Sequence, residues 1–305
     1  MLRFAVRRLL GLIPTLLIIV VVSFLVIRLA PGSPFASERG IPPEVLVDLK
    51  AKYGFDRPLH EQLVNYVWRL MRGDLGLSTK YPNRTVNDLI ADGLPATLLL
   101  GVCALAWALF LGIGAGIIGA IRQNTGWDYG FMTLAMVGIS LPTFVLGPVL
   151  VLIFALTVYV LPPAGWGDLR HVVLPALTLG TAYAAYIARL TRAGMLEVVR
   201  SDFVRTARAK GLPEHTIVFR HMLRGGLLPV VTYLGPATAH LLVGSVVVEK
   251  IFATPGIGPY FVDAAFNRDY FVVMGIVVLE SSFLLVMNLL VDLAYGFMDP
   301  RIRYE

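Results

Sequence analysis

The class of this protein is decided by an uninterrupted apolar stretch at residues 9–27, which reads LLGLIPTLLIIVVVSFLVI. A helix needs roughly 20 apolar residues to cross the hydrocarbon core of a bilayer, and this stretch has that length. Arg3, Arg7 and Arg8 precede it, and no small-residue cleavage site follows it. The stretch therefore predicts a retained first transmembrane helix with its basic end in the cytoplasm, rather than a cleaved signal peptide.

The composition extends this interpretation to the whole chain. Of its 305 residues, 57% are hydrophobic and only 15% are charged, which is unusual for a soluble domain. The third apolar run is overlong and contains Pro142 and Pro148, so we expect it to be kinked or tilted. In total the apolar runs predict an all-α integral membrane protein with six transmembrane helices, at about 9–28, 96–121, 130–160, 172–191, 227–249 and 272–298.

The distribution of lysine and arginine predicts the orientation of these spans. With the N-terminus inside, the cytoplasmic segments hold fourteen of these residues and the two short outer loops hold three. Cytoplasmic loops carry such an excess, whereas long loops cross the membrane largely regardless of charge. We therefore expect a multi-pass protein with both termini in the cytoplasm. The formal net charge of +6 is attributed to orientation, not to nucleic-acid binding.

Three regions are predicted along the chain. Residues 1–30 form the N-terminal transmembrane helix, residues 31–95 form an extracytoplasmic segment, and residues 96–305 form a core of five further helices. The segment 31–95 begins with several prolines and continues with apolar residues at helical spacing. Because it is too long for a plain loop, we expect it to form a small extracytoplasmic cap rather than a separate domain.

The most informative cytoplasmic segment is 195–224, between the fourth and fifth spans. Leu196, Val199, Phe203 and Ala207 recur at helical spacing, and they predict one apolar face of a helix with charged residues around it. The position and basic character of this helix make it the first candidate for a functional element.

A tight turn is predicted directly after this helix. Gly211 lies where a helix end favours a residue with positive φ, and Pro213 follows where a helix cannot continue. Glu214 suits the first turn of a second helix. On this pattern alone two interpretations stay open: a basic amphipathic helix that rests on anionic lipid, or a rigid helix–turn–helix that docks into a partner protein.

The stretch 203–212, FVRTARAKGL, resembles the cytoplasmic signature of ABC importer permeases, in the form typical of their peptide and nickel branch. The general signature begins Glu-Ala-Ala and has a glycine after three further residues. Ala207 and Gly211 match it, whereas Arg205 and Thr206 replace its first two residues, as the branch does. Six other stretches resemble further motifs of the branch and occur in the same order, at 28–34, 73–78, 123–128, 255–258, 267–270 and 299–304.

The resemblance implies a type I ABC importer permease fold and a non-catalytic membrane subunit of a peptide importer in the inner membrane. Such a subunit works with a homologous second permease, two ATP-binding subunits that hold ATP and magnesium, and a periplasmic peptide-binding protein. The signature segment would be the coupling helix that seats in an ATPase subunit. Its residues here are Phe203, Arg205, Thr206, Ala207, Arg208, Lys210, Gly211 and Leu212.

Two further sets of residues are expected to meet the binding protein and the peptide. The first, at the outer gate, is Pro255, Gly256, Ile257, Gly258, Arg268 and Asp269. Polar groups inside spans are costly and therefore suggest function, so the second set, on the translocation path, is His240, Glu280 and Ser281. For Glu280, a hydrogen bond between helices or a contact with the second permease is the open alternative.

Motifs for chemistry are missing from the sequence. It contains neither a P-loop nor a His-Glu-x-x-His zinc motif, and its single cysteine, Cys103, excludes an internal disulfide and a cysteine-based metal cluster. We therefore expect no catalysis, cofactor or metal site in this chain. Two alternatives to an oligopeptide permease are a related permease for dipeptides, glutathione or nickel, and an ion-coupled secondary transporter that uses Glu280 and Asp292.

Overall fold

The structure of the protein is a computed structural model that describes residues 2–32, 34–35 and 43–298. Within these residues the chain is helical, apart from loops and a single β-bridge between Leu77 and Thr85. The predicted all-α class is therefore confirmed. The motif at 299–304, with Arg301 and Arg303, lies outside the described residues.

The helices of the described residues follow one another without an intervening sheet. Two π-helical segments, Val151–Thr157 and Ile217–Met222, directly follow the helices Thr143–Leu150 and Glu214–Thr216. In chain order the helices are α1 (Leu2–Leu29), α2 (Pro43–Tyr53), α3 (Leu59–Met71), α4 (Val86–Ile121), α5 (Gly126–Ser140), α6 (Thr143–Leu150), α7 (Arg170–Val199), α8 (Asp202–Ala209), α9 (Glu214–Thr216), α10 (Leu223–Gly226), α11 (Leu228–Val243), α12 (Val246–Ile251), α13 (Ile257–Asn267) and α14 (Tyr270–Met298).

Five of the six predicted apolar runs correspond to described helices that are long and apolar enough to cross a membrane. These helices are α1, α4, α7, α11 continued by α12, and α14. The sixth is the pair of α5 and α6, the latter continued by its π-helical segment, which bends by 110° at a short break. The chain is thus a multi-pass membrane protein.

The bend in the third span lies at Leu141 and Pro142. Leu141 has φ −84° and ψ 115°, so it has left the helical region. A residue before proline is pushed out of the helical region by the proline ring, and Pro142 then precedes the first turn of α6. The kink predicted from the prolines is therefore present, as a sharp break rather than as a gradual tilt.

The fifth span is also interrupted, at Gly244, where the sequence predicted a continuous helix over 227–249. Gly244 has φ +87°, a conformation that favours glycine. A Cβ at this position would overlap the side chains of Glu249 and Thr97. The break separates α11 from α12 and leaves room for these two polar side chains.

The most extensive helix packing is between α4 and α7, and glycines remove the side chains at their contact. A Cβ on Gly112 would lie 2.7 Å from the Ala184 carbonyl oxygen, and one on Gly116 would lie 2.6 Å from that of Ala188. Small residues at this spacing let two helix backbones approach each other within a membrane. The α4–α7 pair therefore forms the centre of the bundle.

Between α1 and α4, the helix α3 packs on α1 and α14. Tyr66 of α3 is buried together with Val20 and Phe24 of α1 and Met274 of α14. α4 itself begins at Val86, well before the apolar run predicted at 96–121, with a capping box between Thr85 and Asp88.

Candidate functional sites

The segment after α7 forms a separate short helix rather than a continuation of the span. α7 ends at Val199, and the chain turns through Arg200 and Ser201 before α8 begins at Asp202. Ser201 has β-region dihedrals, φ −72° and ψ 152°, and its hydroxyl donates to the Val198 carbonyl oxygen over 2.6 Å. The turn lets α8 take a direction different from that of the span.

One side of α8 is buried against the end of the bundle. Val204 has no exposed surface and Ala207 is 6% exposed, and both pack in a cluster with Met195, Ile217 and Met222. α8 is thereby fixed to α7 and to the chain that leads into α11. A displacement of α8 would have to move these elements as well.

The predicted single apolar face of Leu196, Val199, Phe203 and Ala207 is wrong for Phe203. Phe203 is 51% exposed and lies outside the buried cluster, which contains Val204 instead. The prediction assumed one continuous helix over 196–207, but the turn at Arg200 and Ser201 resets the helical register. An apolar aromatic side chain is consequently presented on the outer side of α8.

The predicted turn after α8 is present. Gly211 has φ +71°, its N–H donates to the Arg208 carbonyl oxygen over 2.9 Å, and the Leu212 N–H donates to that of Ala207 over 3.3 Å. The Arg208 guanidinium closes the turn with a 2.7 Å bond from its Nε to Oε1 of Glu214.

The outer surface of this helix–turn–helix combines apolar and basic side chains. Phe203, Leu212 and Phe219 are large apolar residues with 51%, 38% and 68% exposed surface. Sequence reasoning missed Phe219, which lies in a π-helical segment where helical periodicity does not apply. The exposed polar residues beside them include the acidic Asp202 and Glu214 as well as Arg205, Thr206, Arg208 and Lys210. Of the eight predicted coupling residues only Ala207 is buried.

At the opposite end of the bundle, the loop between α12 and α13 is organised by a buried carboxylate. Glu249 has no exposed surface; its Oε1 accepts from the Thr97 hydroxyl over 2.8 Å and its Oε2 from the Gly258 N–H over 2.8 Å. The Thr97 hydroxyl oxygen also accepts from the Ile257 N–H over 3.0 Å. These bonds join α4 and α12 to the N-terminus of α13.

A second buried carboxylate, Asp269, holds the loop before α4. It has no exposed surface, and its Oδ2 accepts from the Ser78 hydroxyl and from the backbone N–H groups of Thr79 and Lys80, the latter two over 3.0 and 3.1 Å. Asp269 directly precedes α14. It therefore connects the segment between the first two spans to the last span.

The predicted outer-gate residues fall into two groups. Only Pro255 and Arg268 are exposed, so their side chains are accessible to a partner. The other four residues are buried and pack within the loops, namely Gly256, Ile257, Gly258 and Asp269. Direct contact of a partner protein with these four buried residues is not compatible with this conformation.

The predicted path residues His240 and Glu280 come together on an open side of the bundle. His240 of α11 and Glu280 of α14 are 59% and 48% exposed, with His240 Nδ1 and Glu280 Oε1 3.9 Å apart. Ser281 is partly buried. His240 also lines a cleft of about 600 Å³ between α7 and α11, together with Tyr183, Tyr186 and Tyr233. The described residues contain no cluster of three His, Cys, Asp or Glu residues that could hold a metal ion.

The sequence matches two family descriptions, which together extend over almost the whole chain. Residues 112–304 match the binding-protein-dependent transport system inner membrane component. Residues 1–101 match the N-terminal part of the membrane component of such systems.

Curated relatives match over their full length. The chain is 48% identical to the oligopeptide transport system permease protein OppB of Salmonella typhimurium, with 100% of both chains covered. It is 43% identical to the dipeptide permease protein DppB of Bacillus subtilis, with 99% of this chain and 98% of that one covered. It is 44% identical to the glutathione permease protein GsiC of Pectobacterium atrosepticum, again over 100% of both chains.

A solved structure shares the fold. A chain of the inward-facing MetNI methionine ABC transporter superposes with a TM-score of 0.59 at 16% identity, over 69% of this chain and 96% of that chain. At this identity the likeness concerns the arrangement of helices alone.

Proposed function

We propose, since the chain belongs to the family of binding-protein-dependent transport system inner membrane components, that it is a permease subunit of an ATP-driven importer that carries oligopeptides across the inner membrane. A permease of this family does not itself catalyse a reaction, and ATP hydrolysis takes place in separate subunits. The observation that carries the proposal is the full-length identity of 48% to an oligopeptide permease. The dipeptide and glutathione permeases are less similar, which favours oligopeptides as cargo.

The proposed assembly contains this chain, a homologous second permease, two ATP-binding subunits with ATP and magnesium, and a periplasmic peptide-binding protein. Family membership and the exposed helix–turn–helix support this composition. An ion-coupled secondary transporter would not need such an exposed surface. Asp292, one of its two candidate residues for ion coupling, instead forms a 2.9 Å ion pair with Arg8 of α1.

The α8 end of the bundle is proposed to face the cytoplasm, with both termini on that side and residues 31–95 outside. The excess of lysine and arginine in the segments at this end supports the orientation. The α12–α13 loop then faces the binding protein, with Pro255 and Arg268 as its accessible contacts.

The coupling role is assigned to the exposed side of α8 and its turn. Phe203 and Leu212 would enter an apolar cleft of the ATPase subunit, and the basic side chains around them would meet acidic groups at its rim. Because Val204 and Ala207 fix α8 to α7 and to the residues before α11, movement of the ATPase would be passed to both spans. The hydrogen-bonded ion pair between Arg208 and Glu214 stabilises the conformation of the turn that would dock.

The test is substitution at Gly211, whose φ of +71° disfavours β-branched side chains but tolerates asparagine. Gly211→Val should reduce ATP-driven tetrapeptide uptake by the assembled complex in proteoliposomes at least tenfold, or prevent co-purification of the ATPase subunits. Gly211→Asn is the matched control and should keep most of the uptake. Normal uptake and normal complex recovery with Gly211→Val would contradict the coupling role, and uptake driven by an ion gradient in this chain alone would contradict the proposed function.

A further inference from the structure

We infer that the cleft between α7 and α11 is a peptide-binding subsite of the permease, in which tyrosine hydroxyls bind the backbone of a passing peptide. The inference rests on the proposed function and adds a substrate contact to it. A path that only conducts peptides needs to be wide and filled with water, whereas this side of the bundle carries an aromatic, mainly apolar surface with a few polar groups. We call this surface the tyrosine cleft and define it by Tyr183, Tyr186, Tyr233 and His240.

The geometry of the tyrosine cleft is set by three rings. Tyr186 of α7 stacks on Tyr233 of α11, with ring centroids 5.7 Å apart and planes 29° apart. Tyr183, one turn away on α7, lies 6.4 Å from the same Tyr233 ring. The cleft of about 600 Å³ in front of them has the size of a small-ligand site.

Within the part of the chain that the structure describes, the three tyrosines contact one another through their rings, and no hydrogen bond of their hydroxyls is found. A tyrosine hydroxyl both donates and accepts, so it can pair with a peptide N–H or a peptide carbonyl. Backbone groups are the same in every peptide, and a set of hydroxyls therefore suits a carrier of many sequences. The ring faces can in addition contact apolar or cationic peptide side chains.

Two charged residues that lie beside the cleft lining, Glu280 and Arg189, fit a zwitterion. Glu280 lies beside His240 at one end, and at the other end the Arg189 guanidinium lies over the Tyr186 ring, 5.1 Å from its centroid. His240 is seven residues beyond Tyr233 and Arg189 three residues beyond Tyr186, in helices that run in opposite directions, so the Cα atoms of His240 and Arg189 lie about 15 Å apart along the helix axes. An extended peptide of roughly four to five residues has this length. Its ammonium group would meet Glu280 and its carboxylate Arg189.

The same charges argue against the other possible neighbours of this surface. Half-exposed ionisable groups facing lipid are costly, so the cleft is not a lipid contact. A helix of the second permease would bury Glu280 and Arg189 and would need a matching charge for each of them. A peptide supplies both charges itself.

The first experiment measures protection of the cleft in the assembled complex. In a Cys103→Ser background, Tyr233→Cys and, separately, Tyr186→Cys are labelled with a small thiol reagent, with and without millimolar tetra-alanine. We expect tetra-alanine to slow labelling at least threefold at either position, and free alanine at the same concentration to have no effect. Phe110→Cys, at a residue of α4 that is 75% exposed and does not line the cleft, is the matched control and should label at one rate throughout.

The second experiment tests the hydroxyls and the acid. With Tyr186→Cys as the reporter, Tyr233→Phe removes one hydroxyl and keeps the ring, and Glu280→Gln removes the negative charge. Each should raise the tetra-alanine concentration for half-protection by about 2- to 10-fold, the range for one lost hydrogen bond. A complex that imports tetra-alanine with ATP but shows no protection at either cysteine, or protection unchanged by both substitutions, overturns the subsite alone. A complex that imports no peptide overturns the proposed function instead.

Discussion

At the residue scale, Glu249 connects three helices through a carboxylate that has no contact with solvent. Its two oxygens accept one bond from Thr97 of α4 and one from the N-terminus of α13. A carboxylate at the N-terminus of a helix is stabilised by the free N–H groups and the helix dipole. The surrounding glycines, Gly244, Gly256 and Gly258, provide the space that the carboxylate fills.

Gly256→Ala is predicted to disrupt this arrangement. Gly256 has φ −93°, which any residue adopts, but a Cβ there would overlap the Glu249 carboxylate and the Thr97 hydroxyl. Thermal unfolding of the purified protein should show a loss of about 2 kcal/mol or more. Gly114→Ala is the matched control, because a Cβ on Gly114 meets no atom within 4 Å, and it should cost nothing. Equal stability of the two variants would refute the role of Gly256.

Tyr66→Phe is predicted to be harmless or stabilising. The Tyr66 hydroxyl is buried and has no hydrogen-bond partner among the described residues, and burial raises the pKa of its phenol, so the group stays neutral. Removing an unpaired buried hydroxyl relieves a desolvation cost of about 1–3 kcal/mol. Tyr66→Ala, in contrast, removes a ring from the α1–α3–α14 contact and should cost about 3–5 kcal/mol in the same unfolding assay. A clear loss of stability with phenylalanine would show that the hydroxyl is bonded.

At the element scale, hydropathy and proline positions predicted the spans and the kink, and the glycine–proline pattern predicted the turn after α8. They did not predict the break between α7 and α8, because Arg200 and Ser201 carry no strong breaking signal. This break decides which side chains of α8 face outward. The break at Gly244 was missed for a different reason: glycine is tolerated in apolar helices, and only its neighbours Glu249 and Thr97 require it there.

Asp128→Asn is predicted to loosen the contact between α5 and α7. Both Asp128 oxygens accept from the Arg192 guanidinium, over 2.6 and 2.7 Å, and Oδ2 also accepts from the Asn124 N–H. Because Asp128 is 1% exposed, its neutralisation leaves the arginine without a counter-ion and should cost about 3 kcal/mol. The double variant Asp128→Asn with Arg192→Met should recover part of this loss in the same measurement. If the two single losses simply add, the pair is not coupled.

At the scale of the whole molecule, the contacts that define the two ends of the bundle come from distant parts of the sequence. The α8 end is closed by residues of α4, α7, α8 and the segment before α11. The α13 end is closed by Thr97 with Glu249 and by Ser78 with Asp269. Each end therefore includes residues of the membrane-spanning helices, so a movement of these helices would also move the end.

The proposed orientation predicts opposite accessibility of these ends. In a Cys103→Ser background, Lys52→Cys on α2 should be labelled in intact cells by a membrane-impermeant maleimide, whereas Glu197→Cys near the end of α7 should react only after permeabilisation. Both native side chains are exposed in the structure, so burial would not account for the difference. The reverse pattern would place the N-terminus outside and would contradict the assignment made from lysine and arginine counts.

The sequence by itself determined the membrane class and the family, because these depend on runs of neighbouring apolar residues and on short motifs. It also indicated the turn at Gly211 and the two elements on either side of it. Only the tertiary structure decided that Phe203 faces outward, that Glu249 and Asp269 are buried, and that three tyrosines of α7 and α11 share a cleft. The physical reason is that burial and hydrogen bonding depend on partners far away in the chain, such as Thr97 for Glu249, and local periodicity carries no information about them.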